Sequence, residues 1–184
     1  MNQIAQSISV PARMIFLMWA VFTIEFTFGL DFGFLGVVPR TLNGLLGVIG
    51  MPFVHGDIGH LVSNTFPLLF LGTTLYYFYS NIAGRVLILC ILLTGVGVWL
   101  FARTSNHIGA SGAVYGIASF LIFYGFFRRS FISILISIII VLTYGSIFYG
   151  VLPLVEGVSW EAHLIGALVG LGCAVYYGRK KISD

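Results

Sequence analysis

Six apolar runs fill nearly the whole chain and leave only short connections between them. They extend roughly from Met14 to Leu35, Ile58 to Tyr79, Arg85 to Phe101, Ser111 to Phe127, Phe131 to Leu152 and Glu161 to Gly178. A helix needs about 20 apolar residues to cross the hydrocarbon core of a bilayer. Because 59% of the residues are hydrophobic and only 8% are charged, too little polar surface is left to cover a water-soluble globule. The sequence therefore predicts an all-α membrane protein with six transmembrane helices.

The distribution of positive charge predicts how these helices are oriented. With the N-terminus in the cytoplasm, the inner side holds Arg13, Arg85, Arg128, Arg129, Arg179, Lys180 and Lys181, and the outer side holds only Arg40 and Arg103. The positive-inside rule favours this orientation, with both termini cytoplasmic, in what we expect to be a bacterial cytoplasmic membrane. The basic residues form no patch, so we expect no nucleic-acid partner.

We expect one domain over residues 1–184. It comprises a short cytoplasmic N-terminus (1–13), a helical core (about 14–178) and a basic cytoplasmic C-terminus (179–184). The apolar run after Arg13 is expected to be a retained first span and not a cleaved signal. Cys90 and Cys173 each lie inside an apolar run, which indicates packing residues and argues against a disulfide.

Two connections on the predicted outer side are longer than a turn. Gly36 to Asp57 mixes glycine and proline with apolar residues, which predicts a folded first outer loop partly immersed in the outer leaflet. Ala102 to Ala110 precedes an apolar run that reaches only to Arg128 and is short for a whole bilayer. Non-helical backbone dipping below the outer surface would complete that crossing, and it would place Ser111 at the floor of a cavity.

Polar side chains within the apolar runs are costly in lipid and therefore need a partner or a purpose. His60 and Asn64 are four residues apart on one face of the second predicted helix, with His55 about one turn earlier. Ser111 begins the fourth predicted helix, and Tyr115 follows it by four residues. His163 lies near the outer end of the sixth. All these positions are predicted to lie at similar depth in the outer half of the membrane.

Small residues predict that the fourth and sixth helices approach each other closely. Gly112 and Gly116 have small-xxx-small spacing on the fourth helix, and Ala162, Gly166 and Gly170 repeat it on the sixth. Helices in lipid come together where small side chains let the backbones approach. Their contact would place Ser111 beside His163.

A serine hydroxyl becomes a useful nucleophile when a base within about 3 Å can take its proton, and neutral imidazole suits that role near pH 7. Ser111 and His163 supply such a pair. His60, Asn64 and the backbone N–H of Ser111 are candidate donors to an oxyanion. Glu161 lies two positions before His163 and points to a different side of the helix, so no acid is apparent for a triad. We therefore predict a dyad, with Tyr115 packing against the imidazole.

Three ordered motifs resemble those of the rhomboid family of intramembrane serine proteases. The second-helix pattern is matched by His55, His60 and Asn64. The GxSG pattern is matched by Gly109, Ala110, Ser111 and Gly112, and the sixth-helix AHxxGxxxG by Ala162, His163, Gly166 and Gly170. The resemblance extends over about Met14 to Gly178. One departure is that Pro39 and Arg40 stand where many members carry Trp-Arg.

This resemblance implies a six-helix rhomboid-like bundle with a Ser–His dyad and an oxyanion hole that uses His60 and Asn64. It also implies cleavage of the transmembrane helix of a membrane-protein substrate, with the active site opening to the outer side and the fifth helix as a mobile wall. No cofactor is expected. No metal site is expected either, because the first helix pair lacks the HExxH pattern and the nearest carboxylates do not have the spacing of metal ligands.

Other interpretations of these residues stay open. His60 and Asn64 could bridge helices as structural polar groups, and His55 could anchor the outer loop. His107 is expected to be an exposed loop residue. Glu25 must face protein or water or bond to a loop group, with a structural role favoured. A rhomboid-like chaperone or adaptor without catalysis is the main competing function. A small transporter is disfavoured, because the six runs show no internal repeat.

Overall fold

Six long helices make up most of the computed structural model, which describes residues 2–155 and 157–179. They are α1 (Gln3–Phe28), α2 (Ile58–Phe78), α3 (Ser80–Phe101), α4 (Ser111–Arg128), α5 (Phe131–Tyr144) and α6 (Trp160–Arg179). Within the described residues, the β-structure is a single antiparallel bridge between Val37 and His107. The chain is therefore all-helical, as predicted. The predicted basic positions Lys180 and Lys181 lie outside the described residues.

Not every long helix has the length and apolarity of a complete membrane crossing. In the described part of the chain, α1, α3 and α4 do, and α2 qualifies together with Asn43–Phe53, to which it is bent by 70°. Phe131–Ile147 is apolar but shorter. These apolar helices indicate a membrane protein with three or four clear spans, and the count of six stays a prediction.

The first helix lies earlier in the chain than the apolar run Met14 to Leu35 predicted. It begins at Gln3, because the side chain of Asn2 accepts a hydrogen bond from the Ala5 N–H and caps the first turn. It ends at Phe28, because Gly29 adopts a left-handed conformation with φ 62° and donates its N–H to the Glu25 carbonyl. Most of the predicted N-terminal tail, 1–13, is therefore helical.

The fifth apolar run is not the single helix to Leu152 that was predicted. The α-helix ends at Tyr144, and the chain continues as a 3-10 helix from Gly145 to Val151. Glycine at 145 and 150 lowers the cost of leaving α-helical geometry, and Pro153 prevents its return. We call residues 145–151 the covering segment. It follows the end of α5 and leads towards α6.

The α4 helix lies at the centre of the bundle, with nearly every residue from Gly112 to Gly125 buried. Its close approach to α6 matches the prediction from small residues. A Cβ on Gly166 would collide with the Gly112 carbonyl oxygen, and one on Gly170 would collide with that of Gly116. No larger residue fits at these two positions without separating the helices.

The first outer loop is folded from short helical turns and is fastened by Arg40, which has φ 59°. The Arg40 guanidinium donates to the carbonyls of Leu100 and Ala102 at 3.2 and 2.9 Å, so it caps the C-terminal end of α3. The loop exposes apolar side chains, with Leu42 84% and Ile49 65% exposed. That surface suits an apolar environment, although immersion in the leaflet stays a prediction.

Candidate active site

Ser111 is the first residue of α4, and its Oγ lies 2.8 Å from Nε2 of His163. The turn before it depends on Gly109, which has φ +105° and donates its N–H to the Met51 carbonyl at 2.7 Å. A Cβ on Gly109 would lie 2.5 Å from Nε2 of His60. Glycine is thus required at 109 both for the backbone conformation and for the close approach to His60.

The ring of His163 is held at both nitrogens, and only 8% of the residue is exposed. Nδ1 lies 2.8 Å from the carbonyl oxygen of Gly150, in the covering segment. A carbonyl can only accept a hydrogen bond, so Nδ1 carries the proton. In the neutral imidazole the lone pair is then on Nε2, where it faces the Ser111 hydroxyl. No sequence pattern predicts this contact.

Tyr115 packs flat on the imidazole, as its spacing from Ser111 predicted. The ring centroids of Tyr115 and His163 are 4.0 Å apart and the planes differ by 6°. Because the two residues belong to α4 and α6, this stack fixes the plane of the imidazole relative to the helix that carries Ser111.

His60 and Asn64 lie on α2 and line the same cavity as Ser111 and His163, a space of about 770 Å³. The helix begins there because the side chain of Asp57 accepts a hydrogen bond from the His60 N–H at 2.8 Å. Asn64 is 3% exposed, and its Nδ2 donates to the His60 carbonyl at 2.9 Å. The second N–H of that amide is not used in any protein hydrogen bond within the described residues.

His55 lies behind His60 and is only 3% exposed. The two imidazoles meet edge to face, with centroids 5.0 Å apart. The pKa of His55 is lowered to about 4, first by burial and then by neighbouring His60, while the Phe53 backbone and Asp57 oppose the shift. This position supports the ring of His60 and does not line the cavity.

The prediction that His107 is an exposed loop residue is wrong, because the side chain is 2% exposed. Its Nδ1 lies 2.6 Å from Ser159 Oγ and its Nε2 lies 3.0 Å from the Arg103 carbonyl. Its backbone forms the antiparallel bridge with Val37. The surrounding loop is polar in sequence, yet the imidazole satisfies neighbouring polar groups inside the protein.

The carboxylates of Glu161 and Glu25 have partners other than His163. Glu161 Oε1 lies 3.6 Å from Nε of Arg103 and 3.4 Å from its backbone nitrogen. Glu25 Oε1 accepts a hydrogen bond from the Phe32 N–H at 2.7 Å. Both contacts fasten loops to helices, in line with a structural role for Glu25.

A family model, the Rhomboid domain, matches residues 42–180. The chain belongs to the rhomboid family. It is similar to a protein of Mycobacterium tuberculosis (strain ATCC 25618 / H37Rv), with 36% identity over 153 residues that cover 76% of this chain and 62% of that protein. It is also similar to a protein of Mycobacterium leprae (strain TN), with 34% identity over 144 residues, 71% of this chain and 55% of that protein. Both relatives are described as uncharacterized, and the chain spans less than two thirds of their length.

Proposed function

We propose that the chain is an intramembrane serine endopeptidase that hydrolyses peptide bonds in or near transmembrane segments of other membrane proteins. The observation that carries the proposal is the 2.8 Å approach of Ser111 Oγ to His163 Nε2 in a cavity lined also by His60 and Asn64. Because Nδ1 of the neutral imidazole carries the proton, Nε2 keeps its lone pair and can act as the base.

In the proposed reaction, Ser111 Oγ attacks the scissile carbonyl carbon while its proton passes to Nε2 of His163. The carbonyl oxygen becomes an oxyanion, which accepts hydrogen bonds from the side chains of His60 and Asn64 and from the Ser111 N–H. The intermediate collapses as His163 returns the proton to the leaving amine. Water then attacks the acyl-enzyme with His163 again as the base, which releases the acid product and regenerates the hydroxyl.

The proposal includes six membrane spans, with both termini on the cytoplasmic side and the cavity opening to the outer side. Two observations support it. Most basic residues lie near the helix ends that are assigned to the inner side. The exposed apolar side chains of the first outer loop suit contact with lipid at the opposite end of the bundle.

The test is to reconstitute the protein in lipid with a fluorescent transmembrane reporter and compare it with Ser111→Ala and His163→Ala. Ser63→Ala is the matched control, because Ser63 lines the same cavity but, within the part of the chain that the structure describes, its Oγ bonds only to the His60 carbonyl of its own helix. We expect both dyad variants to lose cleavage and the control to keep it. Labelling by a fluorophosphonate should likewise require Ser111. A wild-type protein that binds the reporter without cutting it would favour a rhomboid-like adaptor instead.

A further inference from the structure

The covering segment contributes a backbone carbonyl to the dyad, at the place where a serine protease triad has a carboxylate. The Gly150 carbonyl oxygen lies 2.8 Å from Nδ1 of His163. Glu161, the nearest acid in sequence, is paired with Arg103. Among the described residues, Gly150 is therefore the group that accepts the Nδ1 proton.

Position 150 requires glycine because there is no room for a side chain, and not because of its backbone conformation. Its φ lies outside the left-handed region, since the described glycines with positive φ are Gly29, Gly109 and Gly157. A Cβ at 150 would collide with the Tyr115 hydroxyl and would lie 3.3 Å from Nδ1 of His163. Any side chain at 150 would therefore push the carbonyl away from the imidazole or disturb the ring on which it stacks.

We propose that Gly150 is a positioning residue, whose carbonyl holds His163 in the Nδ1–H tautomer and in the ring orientation that presents Nε2 to Ser111. This inference rests on the proposed function and deepens it.

The first test compares Gly150→Ala with Gly145→Ala. Position 145 lies in the same segment, but a Cβ there meets nothing nearer than Val141 Cγ1 at 3.8 Å. We expect Gly150→Ala to lower kcat about 100-fold, the usual scale for a misplaced general base, with KM nearly unchanged. Gly145→Ala should leave both constants at wild-type values. Equal kcat values in the two variants would overturn the inference.

A second variant covers the case in which Gly150→Ala fails to fold. Replacing Val151 by its α-hydroxy acid turns the Gly150–Val151 amide into an ester, whose carbonyl is a weaker acceptor and adds no bulk. We expect kcat to fall about 5-fold, the worth of one ordinary hydrogen bond. The same exchange at Ile147 removes an N–H from the same segment without touching the Gly150 carbonyl, and it should have no such effect.

The third readout is ¹⁵N NMR of the imidazoles in protein labelled with [¹⁵N]histidine, with His163 assigned from the spectrum of His163→Ala. We expect the Nδ1–H tautomer in the wild type and a shift toward Nε2–H in Gly150→Ala. This measurement does not need cleavage. A tautomer change in a protein that never cuts the reporter supports the inference and overturns the proposed function. Cleavage by a wild type in the Nε2–H tautomer overturns the inference alone.

Discussion

Replacing Asn64 tests whether the polar residues of α2 stabilise an oxyanion or only bridge helices. Asn64→Ala removes an amide that lines the cavity beside Ser111. Loss of one oxyanion donor lowers kcat by about 100- to 1000-fold in serine proteases, because the bond strengthens as charge develops. We expect a decrease of that order with little change in KM, measured by reporter cleavage. His60→Ala should behave similarly.

Thermal unfolding in detergent separates this effect from a structural one. Asn64 also donates to the His60 carbonyl, so its loss carries a small cost in stability. If the loss of activity followed only the lowered Tm, the polar-bridge interpretation of His60 and Asn64 would replace the oxyanion hole.

The stability of the folded protein should depend on pH through His55. Its pKa is lowered to about 4 in the folded protein, against about 6.5 in an unfolded chain. Between these values the unfolded chain binds more protons, so the free energy of unfolding rises with pH. The stabilisation is complete above pH 6.5 and is lost as the pH falls to about 4, with a maximum loss of about 3 kcal/mol.

His55→Phe isolates this contribution, because it keeps a buried ring edge-on to His60 and removes the titration. We expect Tm to fall more in the wild type than in His55→Phe between pH 7 and pH 4.5, measured by differential scanning fluorimetry of purified protein. Parallel pH profiles for the two proteins would show that His55 does not carry the effect.

The side chains of the site could be predicted, but the groups that orient them could not. Ser111, His163 and Tyr115 are identified by residue type and helical spacing, and the structure brings all three together. The Gly150 carbonyl has no signature, because every residue has a carbonyl and a glycine in an apolar run suggests nothing. The burial of His107 was missed because Ser159, which lies beside its Nδ1, becomes a neighbour only in the folded chain.

At the scale of helices, the α4–α6 contact should be intolerant of a single methyl group. Gly166→Ala places a Cβ against the Gly112 carbonyl oxygen of α4. Backbone cannot move aside as a side chain can, so we expect a loss of about 1–3 kcal/mol and a longer Ser111–His163 distance. Both Tm and the rate of fluorophosphonate labelling should fall.

Gly172→Ala is the matched control on the same helix, because no atom of the described residues lies within 4 Å of a Cβ there. Alanine is a better helix former than glycine, so Tm should stay constant or rise. Equal behaviour of the two variants would mean that the small residues do not set the distance between α4 and α6.

The helices α2, α4 and α6 were predicted closely, whereas α1, α3 and α5 were not; α3 begins at Ser80 and not at the predicted Arg85. The start of α4 at Ser111 and of α2 at Ile58 agree with the sequence, because charge, glycine and the Asp57 cap mark those ends. Hydrophobicity alone placed α1 too late, since residues 3–13 are helical although less apolar. It also extended α5 too far, because a 3-10 segment can be as apolar as an α-helix.

At the scale of the whole molecule, the loops that precede α2, α4 and α6 meet above the site. His107 pairs with Val37 of the first loop through its backbone and with Ser159, just before α6, through its ring. Arg103 adds a bond to the Val158 carbonyl at 2.7 Å. Loops joined in this way hold the N-terminal ends of α4 and α6 at one height, which the alignment of Ser111 with His163 requires.

Labelling of introduced cysteines by a membrane-impermeant maleimide in intact cells can decide the number of spans. The two natural cysteines give a low background, because Cys90 and Cys173 are buried free thiols. Six spans with cytoplasmic termini place Asn2, Asn81 and Ser130 inside, and Thr104 and Leu154 outside.

We therefore expect Thr104→Cys and Leu154→Cys to react before lysis. The three inner variants should react only after lysis. Before each of these residues the chain has crossed the membrane an even number of times or not at all, so each lies on the same side as the N-terminus. The physical reason is the charge distribution, which keeps Arg13, Arg85, Arg128 and Arg129 in the cytoplasm. If α2 did not cross, Thr104 would lie on the same side as Asn2 and would stay unlabelled in intact cells. The cavity would then open to the cytoplasm, and the proposed site of cleavage would move with it.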